Sequence, residues 1–131
     1  MSLLKSIFKS SSEEKKEVTS NVHWIPLKSL DHLEEINTIS KEETVLIFKH
    51  STRCGISRMV IKMFEKQFDE ELKELKVYYL DLLNFRELSN EVGYAFQVQH
   101  QSPQLLVIKN GEAVNYASHY DINSIDLKQY L

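Results

Sequence analysis

The sequence predicts an α/β domain built on a mixed sheet with helices on both faces, in the order β-α-β-α-β-α-β-β-α. Three observations carry this prediction. The apolar runs at residues 45–48, 77–80 and 105–108 are too short for independent helices and too uniformly apolar for strands with one wet face. Between them lie segments whose apolar residues recur at helical spacing, and strands that alternate with helices pair in parallel. Asn110-Gly111 follows the last run as a strong hairpin signal, which requires an antiparallel partner.

Residues 22–27 read as a short first strand with Trp24 and Ile25, closed by Pro26, whose missing amide hydrogen suits a strand end. Ser29 can cap the next helix, in which Leu30, Leu33 and Ile36 share a face up to the polar stretch 38–41. Residues 44–49 form the second strand. After His50-Ser51-Thr52-Arg53 comes Cys54, and the period changes: Val60, Ile61, Phe64, Phe68 and Leu72 make an apolar stripe, with Lys62, Glu65, Lys66 and Glu70 outside it. Residues 77–80 are the third strand, and Leu88, Val92 and Ala95 or Phe96 mark a third helix. Residues 105–108 and 112–116 form the closing hairpin, and Ile125 and Leu127 belong to a last helix. A parallel half followed by a hairpin half is the thioredoxin-type order.

With 131 residues, 42% of them apolar, the chain suits one domain and a short tail, placed at residues 21–131 and 1–20. A net charge of −3, from 16 basic and 19 acidic residues, offers no basic footprint for nucleic acid, so partners are expected among proteins and small molecules. A single cysteine excludes an internal disulfide and a dithiol mechanism within one chain, and makes the reducing cytoplasm the expected compartment. Leu3, Leu4, Ile7 and Phe8 form a short amphipathic segment beside Lys5 and Lys9, with no apolar run of export-signal or membrane-spanning length. The serines at 10–12 and the charges at 13–17 read as a solvated linker.

A lone cysteine is often just a small buried apolar residue. Cys54, however, follows a polar turn and opens a helix whose stripe begins several residues later, which puts its sulfur near unpaired backbone amides and points to an exposed nucleophile. A helix start favours an anion by roughly 0.3–1 kcal/mol, and Arg53 adds to this if it points inward. That is little for a catalyst, so positioning of the substrate must contribute most. Thr52, Gly55 and Ile56 complete the expected contact surface around the sulfur. Ser102-Pro103, just before the fourth strand, either simply opens that strand or, as the fold suggests, turns its backbone towards an extended substrate. Ser57 stands one helical turn after Cys54, where a second thiol would sit in a redox pair. Serine cannot expel a substrate by forming a disulfide, so an adduct on Cys54 must await an external thiol. His50, His100 and His119 are candidate neighbours, although each alone reads more readily as a surface or structural residue, and their spacing defines no metal set. Arg86 is either a solvated helix residue or a partner for a carboxylate on a small thiol.

The stretches KHSTRCGIS, RELSN, HQSPQ, KNGE and ASHYDI together resemble the YtxJ family of monothiol bacilliredoxins, from about Trp24 to the end. The resemblance implies a thioredoxin-like fold and removal of bacillithiol from protein mixed disulfides. It makes Cys54 the nucleophile, Ser57 the position lacking a resolving thiol, and Ser102-Pro103 the cis-proline loop; His50, Ser51, Thr52 and His100 also match. It implies no tightly bound cofactor or metal, with bacillithiol or another small thiol as co-substrate. The expected partners are protein mixed disulfides and a reductase, and the expected state is a monomer. One departure is Gly55, where the family usually has proline. Cys54-Gly55-Ile56-Ser57 thereby also resembles the Cys-Gly-Phe-Ser motif of glutaredoxins that carry iron–sulfur clusters, although those place a Gly-Gly pair after the proline strand and this chain has Asn110-Gly111. An iron–sulfur cluster carrier and a non-catalytic binding module are therefore the rival functions.

Overall fold

A computed structural model describes residues 20–131. The amphipathic segment and linker expected in the tail lie outside the described residues. The first described strand, β1 (Trp24–Pro26), leads into helix α1 (Leu30–Ile39), which starts where Ser29 Oγ accepts the His32 N–H at 3.3 Å. Strand β2 (Val45–His50) is followed by helix α2 (Gly55–Gln67), strand β3 (Lys76–Asp81) and helix α3 (Arg86–Phe96). Strands β4 (Gln104–Lys109) and β5 (Glu112–Ser118) form the hairpin.

The five strands make one sheet of order β1-β3-β2-β4-β5. β1, β3 and β2 run parallel, while β4 and β5 are antiparallel to their neighbours. Its central strand, β2, is buried at every position because its side chains alternate between two covered faces. Val45 and Ile47 join Leu33, Ile36, Leu88 and Val92 on the side of α1 and α3. Leu46 and Phe48 meet Val60, Phe64 and Phe68 on the side of α2. There the Phe48 and Phe64 rings lie 5.1 Å apart with Trp24 against both, and the Trp24 indole donates to Glu65 Oε2 at 2.9 Å.

Two segments differ from the sequence expectation. The apolar stripe runs on to Leu72, but α2 ends at Gln67, and Leu72 lies in a separate 3₁₀ turn (Glu70–Leu72) nucleated by Asp69, whose side chain accepts the Glu71 N–H. The expected last helix is two 3₁₀ turns, His119–Ser124 and Leu127–Tyr130, separated by extended backbone at Ile125. Asp126 accepts the Lys128 N–H and so starts a fresh turn instead of continuing the old one. Ile122 and Ile125 still cover the α2 face of the sheet, so the layer is filled by turns instead of a helix.

The hairpin turn depends on left-handed backbone at Asn110 (φ 52°) and Gly111 (φ 73°). Their amides donate to Ser40 O and Ser40 Oγ at 2.7 and 2.9 Å, and a Cβ at position 111 would run into the Asn37 side chain. Gly111→Ala is expected to cost about 1 kcal/mol, read as a lower urea midpoint with an unchanged slope.

Candidate active site at the head of α2

Cross-strand register brings the site together. Lys49 pairs with Gln104 and His50 with Asp81, so the chain leaving β2, the chain entering β4 and the chain leaving β3 all lie at one end of the sheet. Cys54 sits there as the N-cap of α2, with extended backbone (φ −93°, ψ 122°). Its N–H donates to Ser51 O at 3.2 Å, and its carbonyl accepts the first helical bond from Arg58 N–H at 3.0 Å. The thiol is free and half-buried, and it makes no side-chain bond to the helix amides behind it. Thr52, Arg53, Gly55 and Ile56 surround it and are all exposed. A Cβ at Gly55 would meet nothing within 4 Å, so nothing steric requires glycine there.

Ser57 does not share that surface. It is fully buried, and its Oγ lies 2.7 Å from His50 Nδ1 while accepting the Ser51 N–H at 3.1 Å. The hydroxyl thus ties the turn before Cys54 to the strand beneath it. Burial pushes the His50 imidazole below its ordinary range, against the pull of the Asp81 and Glu65 carboxylates, and Arg58 adds to the lowering. Ser57→Ala would strand the half-buried Ser51 amide and a buried ring nitrogen of His50, at an expected cost of about 1–2 kcal/mol, measurable by urea unfolding at pH 7.

The other face of β2 carries a group that pattern reading passed over. Lys49, wholly buried, points away from Cys54's helix and places Nζ 3.2 Å from Ser89 O and 3.4 Å from His100 Nδ1. An ammonium only donates, so His100 offers Nδ1 as acceptor and carries its proton on Nε2. Ser89 Oγ is 3.2 Å from the same nitrogen. No carboxylate pairs with Lys49 among the described residues, and burial lowers its pKa to about 8. Burial also lowers His100, helped by Lys49 and then by Arg86, an exposed residue at the start of α3. The one available signal was a lysine adjoining an otherwise apolar strand run.

The structure therefore divides the expected site residues. Cys54, Thr52, Arg53, Gly55 and Ile56 form one surface turn, with His50 and Ser57 beneath it. His100 and Arg86 belong to the α3 side, where His100 anchors the loop entering β4. The Ser102–Pro103 peptide in that loop is cis, and Pro103 O accepts the His119 N–H at 2.9 Å. His119, a candidate neighbour by sequence, thus holds the proline through its backbone. Among the described residues no group of three or more His, Cys, Asp or Glu side chains could hold a metal ion, and no helix is long and apolar enough to cross a membrane.

A family model described as monothiol bacilliredoxin BrxC matches residues 25–127. Among solved structures, the chain is similar to a protein described as a candidate oxidoreductase with a thioredoxin fold, at 34% identity and a TM-score of 0.69, over 82% of this chain and 92% of that one. It is also similar to thioredoxin from Malassezia sympodialis (20% identity, TM-score 0.65, 80% of this chain and 88% of that one). A third match is the Schistosoma mansoni thioredoxin pre-protein (21% identity, TM-score 0.65, 83% and 99%). These two likenesses concern the fold.

Proposed function

Because the chain belongs to the monothiol bacilliredoxin family, and is by that membership a thiol oxidoreductase, we propose that Cys54 removes bacillithiol from mixed disulfides on client proteins in the cytoplasm. The observation that carries this reading is the contrast between two positions one helical turn apart: Cys54, free and half-exposed, and Ser57, buried and fully engaged. One sulfur is available for attack and nothing in the chain can displace what it captures.

The Cys54 thiolate attacks the bacillithiol sulfur of the client's mixed disulfide. The client S–S bond breaks, a new bond forms between Cys54 and the bacillithiol sulfur, and the client thiolate leaves and takes a proton from water. Exchange needs the three sulfurs nearly in line, so the client chain must be held. The half-buried Ser102 lies at the same end of the sheet as Cys54, and its backbone makes no hydrogen bond to other backbone groups among the described residues. An extended client segment pairing there as an added strand is the arrangement we propose. Thr52, Arg53, Gly55 and Ile56 supply the remaining contact, and Arg86 is the candidate partner for a bacillithiol carboxylate. A second small thiol, or a reductase, then attacks the adduct and frees Cys54, which acts as a monomer without a bound cofactor.

Turnover stoichiometry tests the reading. Without added thiol, the protein should strip one equivalent of bacillithiol per Cys54 and stop; added bacillithiol with a reductant should restore multiple turnover. Parallel clients modified with glutathione or cysteine identify the preferred adduct. A client that stays modified throughout contradicts the proposal.

A further inference from the structure

Helix α2 buries Val60 and Phe64 and still carries a second apolar row on its outer side. Ile56, Met59 and Met63 follow one another at helical spacing and are 43%, 55% and 40% exposed, in a row that begins two residues after Cys54. Cations flank the row. Arg53, Arg58, Lys62 and Lys66 are all exposed, and among the described residues none of them forms an ion pair. The helix's single acidic residue, Glu65, is half-buried and engaged by the Trp24 indole at 2.9 Å. On a chain with a net charge of −3, this is a local basic field over an apolar strip.

Folding does not call for such a face, since the outer side of a helix is ordinarily polar. Contiguous exposed apolar residues mark a contact surface, and the flexible thioether of methionine suits one that meets several partners. We propose that this face of α2 is the docking surface for client proteins, and that it selects clients presenting acidic side chains and an apolar side chain next to the modified cysteine. The proposal rests on the thiol-exchange reading above and adds the class of protein that Cys54 meets. Met63 lies nine residues beyond Cys54, about 13 Å along the helix, so roughly four residues of extended client cover the strip.

Charge selects this occupant over the two others. A second copy of the chain would set the same cations against one another. The apolar residues at the chain's own start are flanked by Lys5 and Lys9, which also oppose the field. An acidic client complements it.

Two peptides carrying the same bacillithiol mixed disulfide test the proposal, one with Asp, Glu and Leu beside the cysteine and the other with two Lys and Leu. Transfer to Cys54, followed by intact mass at low salt, should favour the acidic peptide by about tenfold. The ratio should shrink towards one at about 0.5 M salt and invert in Lys62→Glu/Lys66→Glu. Met59→Ser/Met63→Ser should slow both peptides severalfold. Cysteine-to-serine versions of both peptides, titrated onto Cys54→Ser protein by fluorescence anisotropy, should show the same preference without any chemistry. A preference in binding with no transfer supports the docking surface and sinks only the exchange reading. Equal affinities for the two peptides, or a ratio that survives Lys62→Glu/Lys66→Glu, overturn the docking surface. A dimer dissociated by Met59→Ser/Met63→Ser would assign the face to a second copy, and a Leu4→Ser/Phe8→Ser variant that tightens both peptides equally would assign it to the chain's own start; either result overturns the proposal.

Discussion

Cys54→Ser should lose transfer of bacillithiol from a modified client entirely, a fall of at least about a thousandfold in rate, because the hydroxyl that replaces the thiol is almost wholly protonated at neutral pH and its sulfur–oxygen adduct is not a disulfide. Stability should change by no more than about 0.5 kcal/mol, since the thiol is half-buried and makes no side-chain cap bond. Stopped-flow transfer rates and urea midpoints measured on the same samples check both halves. A variant that keeps even a hundredth of the transfer rate would mean that another group forms the adduct, and no second thiol exists in the chain to do so.

Lys49→Met should make the protein more stable at pH 7, by about 2–3 kcal/mol. Lys49 is wholly buried without a carboxylate, and burial lowers its pKa from 10.5 to about 8. The unfolded chain therefore binds that proton more tightly than the folded one, and the difference of about 2.5 units corresponds to roughly 3 kcal/mol against folding at neutral pH. Methionine fills a similar volume without the charge. The groups left behind are not stranded, because Ser89 Oγ still reaches His100 Nδ1 and Ser89 O lies within α3. Between pH 8 and 10.5 the folded lysine is neutral while the unfolded one is charged, so wild-type stability rises relative to the variant as pH increases through this window. Tyr78 works in the opposite direction above pH 10, because burial and Glu35 push its phenol up to about 12. The difference between wild type and Lys49→Met isolates the lysine. Urea unfolding of both proteins at pH 7 and 9.5 should show the gap closing; a variant less stable than wild type at pH 7 would mean that the bonds to Ser89 and His100 outweigh the cost of burial.

Much of the fold was legible because it is written in local pattern. The unbroken run from Val45 to Phe48 announced a strand covered on both faces, and Asn110-Gly111 announced the turn whose left-handed backbone the structure shows. At the end of the chain the expected helix fails because Ile125 and Leu127, two residues apart, define no helical face, and Asp126 between them caps a new turn through its own side chain. At the site, the position of Cys54 at the head of a helix followed directly from the change of period after Arg53. The burial of Ser57 did not, because whether a first-turn residue faces in or out depends on how α2 docks against β2, and it is His50 that receives it. Lys49 was hidden for a similar reason: a lysine at a strand end ordinarily reaches water, and only the packing of α3 and the His100 loop over it closes that route.

Intact-mass spectrometry of the protein mixed with a bacillithiolated client, in the absence of other thiols, tests the central claim most directly. The account predicts that the client loses one bacillithiol as Cys54 gains one, in equal amounts and with the adduct stable until a thiol is added. A client that loses its modification while Cys54 stays unmodified, or an adduct that leaves Cys54 without any added thiol, would contradict it.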